Sequence, residues 1–143
     1  MALDKPPMRA WQTYEICKQY YDWETYCHAA RVASYVQSMG VIPKEYHIEC
    51  ILLAWMHDLL EDTEYTGEDL PSNFKKALDL LTKPKDMKYD DYCEMLRPRV
   101  DSDPATICAH YVKIADMKDH LAQKETLTPR LKEKYLSGLA KLL

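Results

Sequence analysis

The sequence contains very little glycine, with only 3 glycines among 143 residues. So few glycines disfavour β architectures built on tight turns, because those turns often need residues with positive φ. They also leave no glycine-rich loop of the kind that cradles phosphates in many nucleotide-binding proteins. The chain is therefore not expected to be a β protein or a P-loop protein.

The sequence also lacks any apolar run near the roughly 18 residues that a membrane-spanning helix requires. Residues 1–10 do not contain the apolar segment of a signal peptide. The five cysteines are odd in number and form no Cys-x-x-Cys pair, which favours reduced thiols acting as small buried apolar groups. These features predict a cytoplasmic protein with no membrane partner.

The charge balance is slightly acidic, with 19 Lys and Arg against 23 Asp and Glu, a formal charge of −4. A nucleic-acid-binding protein would show a basic surface, so nucleic acid is not expected as a partner. The composition, 47% hydrophobic and 29% charged, is that of a globular chain. The length predicts a single domain over residues 1–143 and leaves the oligomeric state open.

Helical periodicity recurs along the chain, and proline or polar turns separate the helical segments. Asp103-Pro104 and Thr128-Pro129 each combine an N-cap residue with proline at the first helical position. No segment alternates apolar and polar residues over strand length. The sequence therefore predicts an all-α bundle of about six to eight helices. The predicted helices cover residues 8–21, 25–39, 43–60, 74–81, 89–96, 104–123 and 129–140.

An acidic segment follows the most apolar predicted helix. His57, Asp58, Glu61 and Asp62 lie within six residues, and at about 100° per residue Glu61 stands above His57 and Asp62 above Asp58. The C-terminal end of a helix carries partial negative charge, so three carboxylates there need a positive partner such as a metal ion. The alternative is an acidic surface loop, predicted over residues 61–73, that simply ends a core helix.

Two more residues could belong to the same site. His28 lies on the apolar face of its helix, either as a hydrogen-bonded core histidine or as a metal ligand. Asp116 lies among apolar residues and needs a partner if it is buried. Lys113 and His120 are its local options, and a helix-surface ion pair is the alternative to a ligand role.

Taken together, these residues favour a metal site. His28, His57, Asp58 and Asp116 come from three separate helices and would form a set of two imidazoles and two carboxylates. Such a set suits a divalent ion such as Mn, Fe, Co or Zn. Four protein ligands also leave coordination positions open for water and substrate.

The ordered set of His28, His57-Asp58 and Asp116 resembles the HD superfamily of metal-dependent phosphohydrolases, which are helical bundles. The segment from His57 to Thr63 is similar to the His-Asp-x-x-Glu-Asp-Thr motif of the alarmone hydrolases, which remove the 3′-pyrophosphate of (p)ppGpp. Residues 66–70, 81–83 and 112–116 follow at the spacing of that family, and the likeness covers about residues 26–121.

The resemblance implies a cofactor and roles for individual residues. The four ligands would hold one divalent ion, with Mn as the first choice and Fe, Co or Zn as alternatives. Glu61 and Asp62 would orient a water molecule and take its proton. Lys83, Lys113 and His120 would contact the phosphate or ribose of a small-molecule nucleotide substrate.

The sequence departs from the alarmone hydrolases at the nucleotide-binding positions. Gln19 and Tyr20 stand where that family has a basic pair, and His120 replaces an asparagine near the ribose. The metal chemistry therefore transfers better than the specificity for guanine. The alternatives are an HD-type 5′-nucleotidase or nucleoside triphosphate hydrolase, a phosphohydrolase of a small non-nucleotide ester, and a non-catalytic metal- or nucleotide-binding helical module.

Overall fold

The computed structural model describes residues 3–143, and all of the regular elements in that range are helices. The all-α prediction is therefore confirmed for these residues. Met1 and Ala2, the start of the predicted domain, lie outside the described residues. None of the helices in the described range is both long enough and apolar enough to cross a bilayer. The α-helices are α1 Ala10–Tyr20, α2 Trp23–Ser38, α3 His47–Met56, α4 Leu59–Asp62, α5 Ser72–Leu80, α6 Tyr89–Met95, α7 Pro104–Ala122 and α8 Pro129–Leu142, and a 3₁₀ turn covers Lys44–Tyr46.

The predicted starts of the last two helices agree with the structure. The Asp103 side chain accepts a hydrogen bond from the Thr106 N–H at 3.0 Å. The Thr128 hydroxyl accepts one from the Leu131 N–H at 3.1 Å. Each bond satisfies a backbone donor that has no partner within its helix, which fixes where α7 and α8 begin.

Helix α3 lies at the centre of the bundle and packs against α1, α2, α5 and α7. Its buried residues are Cys50, Leu52, Leu53, Ala54 and Met56. Helix α7 packs in turn against α2, α3, α5 and α8. The three segments that carry the predicted metal ligands are therefore mutual neighbours, and α8 covers one side of α7. Four of the five cysteines are buried, and all five are free thiols.

Candidate metal centre

The helix predicted over residues 43–60 is interrupted at the two residues of the His-Asp motif. Helix α3 ends at Met56, and the short helix α4 begins at Leu59. Helix α4 ends at Asp62 and therefore includes Glu61 and Asp62, which were predicted to lie in a loop. The prediction of an unbroken helix to Leu60 is therefore wrong, and the cause is a side chain from a distant part of the sequence.

The hydroxyl of Tyr21 occupies the gap between α3 and α4. It donates to the Trp55 carbonyl at 2.8 Å and accepts from the Asp58 N–H at 3.3 Å. A side chain inserted into the hydrogen-bond ladder of a helix breaks or bends that helix. The Ala54 carbonyl, the regular helical partner of Asp58, is taken instead by the ring and backbone of His57. Tyr21 thus sets where the motif turns away from the axis of α3.

The four predicted ligands converge on a small volume. Nε2 of His28 lies 2.9 Å from Asp116 Oδ1 and 3.6 Å from Asp58 Oδ2. Nε2 of His57 lies 3.3 Å from each of the same two oxygens. His28, His57 and Asp58 form one group of atoms that could hold a metal ion, with all ligand atoms within 4.8 Å of one another. Residues up to 88 positions apart in sequence therefore lie close together.

These separations are those expected of atoms around a shared ion. Two donors about 2.1 Å from one ion are about 3.0 Å apart at an octahedral angle and about 3.4 Å apart at a tetrahedral angle. The measured distances between nitrogen and oxygen run from 2.9 to 3.6 Å. These nitrogen–oxygen distances, and the chemistry of two imidazoles with two carboxylates, suit a divalent transition metal, although the group of ligand atoms within 4.8 Å contains His28, His57 and Asp58 but not Asp116.

The hydrogen bonds behind the imidazoles give a second reason for a cation here. Nδ1 of His57 donates to the Ala54 carbonyl at 2.6 Å, and Nδ1 of His28 lies 2.6 Å from Asp119 Oδ2. Both acceptors can only accept, so each Nδ1 carries the proton and each neutral ring presents a bare lone pair at Nε2. In the neutral rings those lone pairs face carboxylate oxygens, which are also acceptors. Either a second proton on each ring or a cation bound between the groups removes this conflict.

The pKa shifts of the clustered side chains also indicate that the site favours positive charge. Burial would lower the pKa of His57, but the charge of Asp58 and the hydrogen bond to Asp116 outweigh it and raise the pKa to about 9. The pKa of His28 is also raised, because its bonds to Asp116 and Asp119 outweigh its burial. For Asp116, burial is outweighed by Lys113 and the surrounding histidines, which hold its pKa well below the usual range. A divalent ion would meet this demand without protonating either ring.

Asp119 stands behind His28, and sequence reasoning missed it. Its side chain is fully buried; one oxygen contacts His28 Nδ1, and the other accepts from Nε of Arg31 at 2.8 Å. A carboxylate on the far nitrogen of a ligating imidazole fixes the tautomer and the ring orientation. The available signal was spacing, because Asp119 follows Asp116 by three residues and lies on the same side of α7.

Two cavities flank the ligand cluster. One, of about 220 Å³, has Glu61, Lys113 and Lys134 in its wall. The other, of about 310 Å³, has Arg31 and Gln123 in its wall. Both cavities are also lined by Asp58, Asp62 and His120. The two predicted catalytic carboxylates therefore lie beside the ligands, as the motif spacing suggested.

The three predicted substrate contacts have different surroundings. Lys113 lines the smaller cavity, but its Nζ donates to Asp116 Oδ2 at 2.9 Å, so its charge also anchors that carboxylate. His120 lines both cavities. Lys83 is not brought into the cluster; its Nζ donates to the carbonyls of Pro84 and Met87 and closes the loop before α6.

Helix α8 supplies part of the smaller cavity, and sequence reasoning did not include it. Lys134 and Tyr135 line the wall, and the Tyr135 ring stacks on His120 with centroids 4.8 Å apart and planes within 9°. Lys134 Nζ lies 4.5 Å from the centre of the Tyr89 ring. No sequence motif connects α8 with residues 26–121, because α8 reaches the wall of the cavity only through tertiary packing.

Comparison of the chain with protein-family models, with curated proteins and with solved structures found no match. The resemblance to HD phosphohydrolases therefore rests on the motif residues alone.

Replacing Tyr21 with phenylalanine tests whether its hydroxyl positions Asp58. The change removes one of two side-chain donors to the Trp55 carbonyl, the other being the Cys17 thiol, and removes the acceptor of the Asp58 N–H. We expect a loss of about 1–3 kcal/mol in the free energy of unfolding and metal binding weakened by about 10-fold or more. Chemical denaturation and metal titration measure the two effects, with Tyr20→Phe as the control. Unchanged metal affinity would mean that Asp58 is held without the hydroxyl.

Replacing Asp119 with asparagine tests the support behind His28. An uncharged amide keeps the shape of the side chain but weakens its bonds to His28 and Arg31. We expect metal affinity to fall by about 10- to 100-fold while a site of the same stoichiometry remains. Isothermal titration of the metal-stripped protein measures this, with Asp79→Asn, an exposed aspartate of α5, as the control. Equal affinities for the Asp119→Asn protein and the wild type would contradict the assignment.

Proposed function

We propose that the protein is a metal-dependent phosphohydrolase that acts on a nucleotide phosphate or pyrophosphate ester, with the 3′-pyrophosphate of (p)ppGpp as the leading substrate. The observation that carries the proposal is the convergence of His28, His57, Asp58 and Asp116 beside two carboxylate-lined cavities. The motif order of these residues and its Glu-Asp-Thr extension support the choice of reaction.

The ligand set supports one divalent ion, with Mn as the first choice and Fe, Co or Zn as alternatives. Such an ion would lower the pKa of a water molecule and neutralise charge on phosphoryl oxygens. The protein's part is to hold the ligands in one orientation. Asp119 and the Ala54 carbonyl fix the two imidazoles, and Lys113 fixes Asp116.

Glu61 and Asp62 support a hydrolytic reaction rather than binding alone. Both are carboxylates at the cavity wall, one helical turn beyond the His-Asp pair. A carboxylate at this position can orient a water molecule and accept its proton as the water attacks phosphorus. A protein that only binds a metal or nucleotide does not need such a base.

The surroundings of the cluster support a substrate with groups on both sides of the scissile bond. Lys134 and Lys113 provide positive charge in one cavity, and Arg31 provides it in the other. Tyr89 and Tyr135 add aromatic surface to the first. A nucleotide bearing phosphates matches this combination better than a small compact ester, because cations suit phosphates and aromatic rings suit bases.

Specificity for guanine is expected to be looser than in alarmone hydrolases. The basic pair of that family is replaced by Gln19 and Tyr20, and the Tyr20 ring packs against Tyr65 at 5.2 Å between centroids. Losing a charged hydrogen bond weakens binding by about 1.5–3 kcal/mol, roughly one to two orders of magnitude in affinity.

The test is phosphate or pyrophosphate release by the Mn-loaded protein from ppGpp, pppGpp, the adenine analogue and ordinary 5′-nucleotides, with the Asp58→Ala protein as the blank. The expected result is hydrolysis of ppGpp with a preference over the adenine analogue below about 10³-fold in kcat/KM. Release only from 5′-nucleotides or nucleoside triphosphates would favour the HD-type nucleotidase. Binding of metal and nucleotide without release of phosphate or pyrophosphate would indicate a non-catalytic binding module.

A further inference from the structure

The four-ligand site does not explain the position of the His120 side chain. Its Nε2 lies 3.2 Å from Asp116 Oδ1, the same oxygen that His28 and His57 approach to 2.9 and 3.3 Å. Three imidazole nitrogens therefore surround one carboxylate oxygen. His28 and His57 reach it with nitrogens that carry no proton when the rings are neutral, so hydrogen bonding alone would require charged imidazolium rings packed side by side, with the His28 and His57 centroids 5.1 Å apart.

We propose that His120 is a fifth protein ligand of the metal centre, which makes the donor set three imidazoles and two carboxylates. This inference rests on the proposed metal-dependent function and deepens it. His28, Asp116 and His120 form a second group of ligand atoms within 4.8 Å of one another, sharing His28 with the group that contains His57 and Asp58.

The spacing of the rings is that of imidazoles on one ion. Rings bound through Nε2 at about 2.1 Å have centres about 4.6 Å apart at an octahedral angle and about 5.3 Å at a tetrahedral angle. The ring centroids of His28 and His57 are 5.1 Å apart, and those of His28 and His120 are 4.7 Å apart. Both pairs lie inside that interval.

The local structure holds His120 in this orientation. Asp116 and His120 are four residues apart on α7, so their side chains leave the same face of the helix, as in other helical pairs of metal ligands. The ring of Tyr135 stacks on the imidazole with planes within 9°. A ring that contacts both His28 and Tyr135 loses little further freedom when it binds an ion.

A fifth ligand changes what the site can do. An octahedral ion with five protein ligands keeps one open position, which must serve the water or the substrate. A third imidazole also increases the preference for Co and Zn over Mn, because nitrogen donors strengthen binding along that series.

The first test is titration of the metal-stripped protein with Mn²⁺, Co²⁺ and Zn²⁺ for the wild type, His120→Phe and His47→Phe. Phenylalanine keeps an aromatic ring against Tyr135 but cannot bind a metal, and His47 is a histidine at the start of α3, outside the cluster. Removing a metal ligand should weaken metal binding at least as much as removing a residue that hydrogen-bonds to a ligand. The metal affinity of His120→Phe should therefore be lower by at least about 10-fold. The fall should be larger for Co²⁺ and Zn²⁺ than for Mn²⁺, and His47→Phe should match the wild type.

The second measurement uses the wild type itself and does not depend on how a variant folds. In the Co²⁺-loaded protein, each imidazole bound through Nε2 gives one strongly shifted Nδ1–H proton resonance. Three such resonances support the proposal, and two at low temperature, where even a partly exposed N–H exchanges slowly with water, overturn it whatever the affinities are. Equal affinities in His120→Phe and the wild type would also overturn it. A wild type that binds none of the three ions would overturn the proposed function as well, so the two failures are distinguishable.

Discussion

The Asp58→Ala protein is expected to bind no divalent transition metal at stoichiometric levels and to lose all metal-dependent turnover. Asp58 Oδ2 lies 3.3 Å from His57 Nε2 and 3.6 Å from His28 Nε2, between the two imidazoles. Removing it takes away a charged ligand that alanine cannot replace. The imidazoles of His28, His57 and His120 and one carboxylate are then left, and that carboxylate is already paired with Lys113.

Elemental analysis of the purified proteins, together with turnover assays after metal loading, measures this effect. We expect about one ion per chain in the wild type and none in the variant. Asp86→Ala is the matched control, because it makes the same change at an exposed loop position. Full occupancy in the Asp58→Ala protein would remove Asp58 from the ligand set and overturn the assignment of the motif. The folded state should survive, because Asp58 is only partly buried.

The helices were predictable because their signals are local. Asp103 and Thr128 cap α7 and α8 with their own side chains, so a few neighbouring residues determine where each helix starts. The interruption between α3 and α4 was not predictable in this way. It depends on the hydroxyl of Tyr21, more than thirty positions earlier, and nothing near His57 in the sequence indicates its presence.

The residues of the candidate site also fall into two groups, those that the sequence identifies and those that only tertiary packing brings to the site. His28, His57, Asp58 and Asp116 could be selected because each is a ligand-type residue on or beside an apolar helix face, and their order matches a motif. The partners that complete the site come from tertiary packing. The bond between His28 and Asp119 joins residues 91 positions apart, and the wall formed by α8 comes from a helix that no motif connects to the centre.

Asp62→Asn is expected to lower kcat by about 10²- to 10⁴-fold, the usual cost of losing a general base, while leaving the metal in place. Asp62 lines both cavities, and its N–H donates to the Asp58 carbonyl at 2.9 Å, one turn beyond a ligand. The amide has nearly the shape of the carboxylate but cannot take a proton from water. Glu61 lines only the smaller cavity, so Glu61→Gln should lower kcat less.

Metal content and kcat measured on the same preparations separate the roles of these carboxylates. Glu64→Gln is the control, because it neutralises an exposed carboxylate two residues further along the chain. Loss of the metal in Asp62→Asn would make Asp62 a ligand rather than a base. A larger fall in Glu61→Gln than in Asp62→Asn would move the base to Glu61. Unchanged kcat in both variants would exclude both carboxylates as the base and leave solvent, or Glu24 in the wall of the other cavity, as the proton acceptor.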